Sequence, residues 1–216
     1  MILIHHSAPQ GSPEWLAARR GLITGSRARD ARERKRDGSL SAAALGYAQD
    51  LARERCGGLL MPVFQTAHMR LGTEQEPAAR EAYEIETGNL VTQCGLITDS
   101  DMRYGVSPDG LVGDDGLIEI KTMCSSATLF RAVVAADHSE YIDQIEMELW
   151  LTGRQWCDLV LWAPDLPRQL WIRRIWRDEA RIAALASDLT SFAGLVDDLA
   201  QRLATSLGRD WPEGQK

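Results

Sequence analysis

Nowhere in these 216 residues does an apolar run approach the roughly 20 residues that a membrane-spanning helix needs. The opening stretch, Met1–His6, is too short for a secretory signal, so the expected location is the cytoplasm, away from any membrane. Cysteine is scarce. Cys56, Cys94, Cys124 and Cys157 are scattered without a close pair. That excludes the short CxxC spacing of a zinc site and the density of a small secreted disulfide scaffold. It also counts against the iron–sulfur nucleases, whose cysteines cluster, and leaves four reduced, mostly buried thiols as the expectation. Basic charge is in deficit too: 24 Lys and Arg against 31 Asp and Glu give a net charge of −7. A simple basic DNA-coating protein is thereby disfavoured, although charge can be segregated. Arg27, Arg29, Arg32, Arg34, Lys35 and Arg36 crowd one stretch, and they suit either a solvated helix or a DNA contact. Repeats, low-complexity tracts and Pro/Gly-rich linkers are absent. The expectation is one domain over 1–216, with N-terminal helices and a C-terminal amphipathic helix.

What is present reads as alternating layers. Ser12-Pro13 has the form of an N-cap with proline at the first helical position, opening a helix that runs to about Arg20 and stops at Gly21. A short extended segment over 22–26 follows, with Ser26 as the expected cap of an arginine-rich helix. Ser41–Cys56 predicts a further helix. Thr66–Thr87 predicts a long one, kinked or broken at Pro77, with Leu71, Ala78, Ala79, Ala82 and Ile85 inward. The period then changes to two, which predicts strands at Leu90–Thr98, Arg103–Pro108, Gly110–Val112 and Leu117–Thr122. Asp114-Asp115-Gly116 is the hairpin turn between the last two. Helices at Ser126–Ala136 and Glu140–Thr152 precede strands at Gln155–Ala163 and Leu170–Trp176. Asp178–Leu207 closes the chain as an amphipathic helix that packs on its own core or, less simply, on another subunit. Such an order indicates an α/β or α+β layered domain.

The chemistry lies in Ser107-Pro108-Asp109-Gly110 and Glu119-Ile120-Lys121. Alternate side chains of a strand share a face, so Glu119 and Lys121 point one way and Ile120 points into the core. A hairpin turning at 114–116 returns Asp109 to the side of Glu119. Two carboxylates then converge with an ammonium group, an arrangement that is costly to bury without a divalent cation. Oxygen ligands with no nearby histidine or cysteine favour magnesium, with manganese as the alternative. A lone Glu-x-Lys on a half-buried strand is usually an ordinary solvated pair. The Pro-Asp-Gly at hairpin distance is what sets this one apart.

Asp109…Glu119-Ile120-Lys121 resembles the PD-(D/E)XK nuclease signature, and Ser107-Pro108-Asp109-Gly110 is the form found in the phage lambda exonuclease family of YqaJ-like viral recombinases. Three further blocks match in the same order. Trp15…Arg19-Arg20-Gly21-Leu22-Ile23-Thr24-Gly25-Ser26 is similar to the W…R.G.ITAS block, with Gly25 in place of the usual alanine. Gly72-Thr73-Glu74-Gln75-Glu76 with Ala79-Arg80 resembles the helical G..E.E block. Tyr141-Ile142-Asp143-Gln144-Ile145 with Leu149-Trp150 resembles the Y..Q.Q…W helix. The likeness covers roughly residues 11–163.

The resemblance implies a restriction-endonuclease-like α/β fold, a small mixed central sheet flanked by helices. It implies that Asp109, Glu119 and the Ile120 carbonyl hold the principal metal, while Glu76 helps to bind a second ion or its waters. Lys121 holds or helps to deprotonate the attacking water or stabilises the pentacovalent phosphate, and Gln144 orients that water or Lys121. Arg19, with Arg20 as the adjacent alternative, grips a terminal 5′-phosphate together with Thr24 and Ser26. Where the family often has a second glutamine, this chain has Glu146. The implied activity is a 5′→3′ double-stranded-DNA exonuclease that releases 5′-mononucleotides and leaves 3′ overhangs for a single-strand annealing recombinase. A homotrimeric ring and a phage or prophage origin in a bacterial host belong to the same picture. An endonuclease of the same fold, an idle DNA-end-binding or packaging protein, and a structural protein assembling through its last helix are the other readings.

Overall fold

The computed structural model describes residues 3–59 and 66–208; Met1 and Ile2 of the short apolar start lie outside them. After β1 (Leu3–His5), α1 (Pro13–Ala18) begins where Ser12 Oγ accepts the Trp15 N–H at 3.2 Å. It ends about two residues earlier than expected, capped by Arg19, with Gly21 left-handed at φ 72°. β2 (Ile23–Thr24) runs into a 3-10 turn at Gly25–Arg27 and the short α2 (Ala28–Arg32). Ser26 does not cap α2. It sits inside the 3-10 turn instead of on extended backbone ahead of the helix, and no side chain caps α2. α3 (Ala42–Arg55) starts on Ser41, whose Oγ accepts the Ala44 N–H at 3.0 Å.

α4 (Ala67–Thr87) starts on Thr66 and stops at left-handed Gly88. Pro77 does not divide it: the missing proline N–H forfeits a single intrahelical bond. Its buried face agrees with the expected one at Ala79 and at Ala82, which packs against the same core, and differs elsewhere. Ala79 and Tyr83 are buried, whereas Leu71 and Ala78 are exposed and Ile85 is 78% exposed. Leu71, Ala78 and Ile85 recur at heptad spacing on one outer stripe. The inner stripe carries Gln75, Glu76 and Arg80, so its polarity conceals it from an apolar count.

Two mixed sheets follow. The stretch expected as one strand over 90–98 splits into β3 (Val91–Thr92) and β4 (Ile97–Asp99), which belong to different sheets. Gly95 lies at this crossing against the His6 carbonyl, where a Cβ would stand 2.2 Å from the oxygen. β4, β5 (Tyr104–Val106), β1 and β2 form a four-stranded sheet in the order β1-β4-β5-β2. β6 (Gly110–Val112) and β7 (Gly116–Thr122) make the expected hairpin, paired Gly110 with Ile118 and Val112 with Gly116. α5 (Ser126–Leu129), a π-helical turn at Phe130–Val134 and α6 (Ser139–Thr152) then cross over to β8 (Trp156–Trp162), which runs parallel to β7. β9 (Leu170–Trp176) completes a five-stranded sheet ordered β3-β6-β7-β8-β9.

β7 is covered on both faces. Ile118 and Ile120 join Ala79 and Tyr83 of α4, while Leu117 packs with Tyr141, Ile145 and Leu149 of α6. Glu119 and Lys121 share the α6 side, as alternation requires. α7 (Glu179–Leu207) starts on Asp178 and buries Leu185, Leu189, Phe192 and Val196 against α2, α3 and α6. It packs on its own core. Phe192→Ala, at a side chain 1% exposed, is expected to lower unfolding free energy by about 3–5 kcal/mol, and Leu207→Ala, 68% exposed, by under about 0.5. Urea unfolding checks both, and equal small effects would contradict this packing.

Candidate active site

Asp109 follows directly from the hairpin register. Gly110 pairs with Ile118, so Asp109 stands opposite Glu119, and its Oδ2 accepts the Ile120 N–H at 2.6 Å. Gly110 leaves room for β3 on the other side of β6, because a Cβ there would lie 2.1 Å from Val91 Cγ1. Lys121 Nζ stands 2.6 Å from Glu119 Oε1 and donates to Gln144 Oε1 at 3.1 Å. Gln144, reaching in from α6, donates Nε2–H to Glu119 Oε1 at 2.6 Å and to Glu148 Oε1 at 3.0 Å. Glu76 of α4 is half-buried and ion-paired with Arg80.

These residues line one cavity of about 530 Å³, together with Arg19, Thr24, Ser26 and Ile120. Asp109, Glu119, Ile120, Lys121, Gln144, Glu76, Arg19, Thr24 and Ser26, the first-choice candidates from the sequence, are all on its wall. Arg20 is exposed and off it. Arg19, the C-cap of α1, lays its guanidinium over the Trp15 ring at 4.2 Å. Trp15 in turn donates its indole N–H to Ser107 Oγ at 3.0 Å, which ties the arginine to the loop carrying Asp109. Thr24 is held by its N–H bond to the Tyr47 hydroxyl at 3.1 Å.

The electrostatics are unbalanced. Burial, and then the negative charges of Glu119 and Glu76, push the Asp109 carboxyl well above its ordinary value. Burial, with Glu119 next, does the same to Glu148. Burial raises Glu76 as well, against the pull of Arg80. Burial works to lower Lys121, but the carboxylates of Glu119 and Asp109 outweigh it and the ammonium is held charged. Among the described residues no three His, Cys, Asp or Glu side chains form a ready-made metal cage. The donor set nevertheless suits a hard cation. Among the described residues Glu119 Oε2 is buried without a hydrogen-bond partner, and surplus carboxylate faces a single ammonium.

Residues 14–155 match the YqaJ-like viral recombinase domain. The chain belongs to that family. It is similar to the crystal structure of an alkaline exonuclease (LHK-Exo) from Laribacter hongkongensis, with 37% identity and a TM-score of 0.81 over 91% of this chain and 98% of that one. LHK-Exo in complex with dAMP gives 37% identity and a TM-score of 0.80 over the same shares. A phage related exonuclease from Haemophilus somnus 129PT is 12% identical, with a TM-score of 0.68 over 87% of this chain and 96% of that one, and shows a common fold alone. No curated protein matches the chain. The fold is the PD-(D/E)XK-type α/β core that the motifs imply.

Against the family's motifs, two positions gain meaning from the structure. Glu146, where a second glutamine is usual, faces away from the cavity: it is buried near Arg181 of α7, 3.7 Å away. Gly25, where alanine is usual, adjoins the cavity, and a Cβ there would press on Val106 Cγ1 at 3.2 Å and meet Gln144 Cγ at 3.7 Å. Sequence reasoning missed Glu148. The signal was present, since residues four apart share a helix face and Glu148 follows Gln144 by one such step.

The raised Asp109 carboxyl has a consequence for stability. The folded state binds that proton more tightly than the unfolded chain does, so stability falls as pH rises from the unfolded value through the folded one. Asp109→Asn, which cannot ionise, is expected to melt above the wild type at pH 8 in EDTA and to lose that advantage in acid, where the wild-type carboxyl is also neutral. Thermal midpoints at the two pH values check it. An Asn variant less stable than wild type at pH 8 would count against the buried-charge account.

Proposed function

We propose that this chain is a divalent-metal-dependent exonuclease that degrades duplex DNA from a 5′ end and leaves a 3′ overhang for recombination. The observation that carries the reading is the single cavity shared by the Asp109–Glu119–Lys121 cluster and by Arg19, Thr24 and Ser26. One end has the chemistry to break a phosphodiester, and the other has the chemistry to hold a phosphate. Family membership supports a nuclease of recombination, and the likeness to LHK-Exo supports an exonuclease. That a structure of LHK-Exo contains dAMP is in keeping with mononucleotide products.

Asp109, Glu119 and the Ile120 carbonyl would hold magnesium, or manganese in its place, and Glu76 would serve a second ion. When bound, the metal supplies Lewis acidity toward the phosphate and a lowered pKa for a bound water. The chain's own groups do the rest. Lys121, kept cationic by Glu119, faces the negative charge that develops on the phosphoryl oxygens. Gln144 holds Lys121 in place through its Oε1. Arg19 presents a planar fork to a terminal phosphate, and stacking on Trp15 keeps the fork in one orientation. The Thr24 and Ser26 hydroxyls add hydrogen bonds to the same group. A homotrimeric ring around DNA and an annealing recombinase that receives the overhang complete the reading, and sedimentation of the purified protein tests the ring. A cytoplasmic location is proposed alongside; among the described residues no helix is long and apolar enough to cross a membrane.

Loss of a metal ligand should cost several kcal/mol of transition-state stabilisation, so Asp109→Ala and Glu119→Ala are each expected to retain less than about a tenth of the wild-type rate. Lys121→Ala should bind duplex ends nearly as tightly while cutting far more slowly, because its charge acts on the transition state. Parallel loss of affinity and rate would make Lys121 a docking residue.

Arg19 separates end-dependent from internal cutting. A charge-assisted contact to a terminal phosphate is worth on the order of 1.5–3 kcal/mol, about a ten- to hundredfold preference for 5′-phosphorylated over 5′-hydroxyl ends. Arg19→Ala is expected to erase most of that preference, and Arg19→Lys to restore only part of it. The measurement is the ratio of initial rates on the two linear substrates, with closed circular duplex as the control. A wild-type ratio near one, together with nicking of circles, would favour an endonuclease.

A further inference from the structure

The side-chain amide of Gln144 has two N–H groups and one carbonyl, and all three have partners in the cavity. The carbonyl accepts from Lys121 Nζ at 3.1 Å. The Nε2 group donates to Glu119 Oε1 at 2.6 Å and to Glu148 Oε1 at 3.0 Å. Two carboxylates on one side and an ammonium on the other leave the amide a single favourable orientation. Turning it over would set its oxygen against both carboxylates and its N–H groups against Lys121.

Glu148 has no structural task that accounts for its position. It is 1% exposed, it lines the cavity, and one of its carboxyl oxygens is buried without a hydrogen-bond partner among the described residues. The other oxygen has one side-chain partner, Gln144. A buried acid so poorly satisfied is expensive to keep, and its one interaction points at the reacting centre. We propose that Glu148 is a positioning residue that locks the Gln144 amide, so that Gln144 Oε1 holds the Lys121 ammonium where cleavage needs it. The proposal rests on the exonuclease reading for its kinetic consequence, but not for its geometry. It asks of Glu148 an acceptor oxygen at the right place, not a metal bond and not a charge. Glutamine supplies such an oxygen; methionine, of similar length, does not.

The test compares Glu148→Met, Glu148→Gln and Gln144→Met, alone and with Glu148→Met combined with Gln144→Met, in magnesium on linear 5′-phosphorylated duplex. Small displacements of a catalytic group cost up to about a hundredfold, so Glu148→Met is expected to lower kcat ten- to a hundredfold with KM little changed. Glu148→Gln should recover most of the rate. In the Gln144→Met background, adding Glu148→Met should cost little more, because the hydrogen-bonded route from Glu148 to Lys121 is already gone. A second readout needs neither DNA nor metal. In nitrogen-15 correlation spectra of the free protein, the Gln144 side-chain amide, assigned by its loss in Gln144→Met, should give two well-separated proton signals in wild type and Glu148→Gln. In Glu148→Met they should collapse toward the free-amide position.

Three results would overturn the proposal: a Glu148→Gln variant as slow as Glu148→Met, which would mark the carboxylate as a ligand or a charge; additive losses in the double variant; or an unmoved amide signal in Glu148→Met. A wild type that fails to cut DNA would sink the exonuclease reading alone, since the amide signals still decide what Glu148 does.

Discussion

The structure turns on a crowding of like charge along one face of β7. A strand buried on both sides would ordinarily carry apolar residues at every position. Here Ile118 and Ile120 keep that rule on the α4 side, while Glu119 and Lys121 break it on the α6 side, facing Asp109, Gln144 and Glu148. The neighbouring strand β8 is buried along its whole length and the hairpin to β6 is closed tightly, so β7 has little freedom to turn its charges outward. The apolar face fixes the polar one. Relief has to come from within the cavity: from Lys121, from the Ile120 N–H and Gln144, and from the cation proposed for it. A site of this kind is bought with stability elsewhere, and the large helical core under α7 is where the chain has stability to spare.

How much of this was legible in the sequence depended on whether polarity and burial agreed. The β6–β7 hairpin was legible because turn residues and two-residue alternation point to the same register. β9 and α7 were legible because their patterns are long and simple. α4 was legible as a helix, but its inner face was not, since Glu76 and Arg80 lie inward where a sequence reader expects apolar residues. The break between β3 and β4 was hidden because a change of sheet leaves no mark on the period of two; the close approach at Gly95 is visible only in three dimensions. Ser26 was misread for a different reason: a 3-10 turn before a five-residue helix uses the same residue types as a capped helix start. Glu148 was in plain view at helical spacing from Gln144, yet an acid on a helix is ordinarily a solvated one, and only the burial of α6 shows otherwise.

The arginine-rich stretch, open in the sequence between a solvated helix and a DNA contact, is partly consumed by the protein itself. Arg27 pairs with Asp30 and lies over the Tyr47 ring, and Arg32 bridges Asp143 of α6 and Asp188 of α7. Those contacts fasten α2 to the helical core. Lys35 and Arg36 are exposed, but the net charge of the chain is still −7. An acidic monomer gains little from the counterion release that drives general duplex binding.

That deficit bears on how the proposed enzyme chooses where to act. With a net charge of −7, affinity for the middle of a duplex has no strong source, whereas a terminal phosphate offers extra charge and free oxygens to one stacked guanidinium. Arg19 and Lys121 are the Lys and Arg side chains on the cavity wall, and in the proposed enzyme the first would hold the phosphate and the second would face the bond that breaks. Discrimination by a local, bidentate contact needs no basic surface. It needs an arginine whose orientation is fixed before DNA arrives, and the Trp15 ring, anchored through Ser107 to the same loop that carries Asp109, provides that orientation. In the proposed enzyme, end recognition and bond cleavage would therefore be coupled through one short loop, and displacement of Arg19 would be felt at the carboxylates.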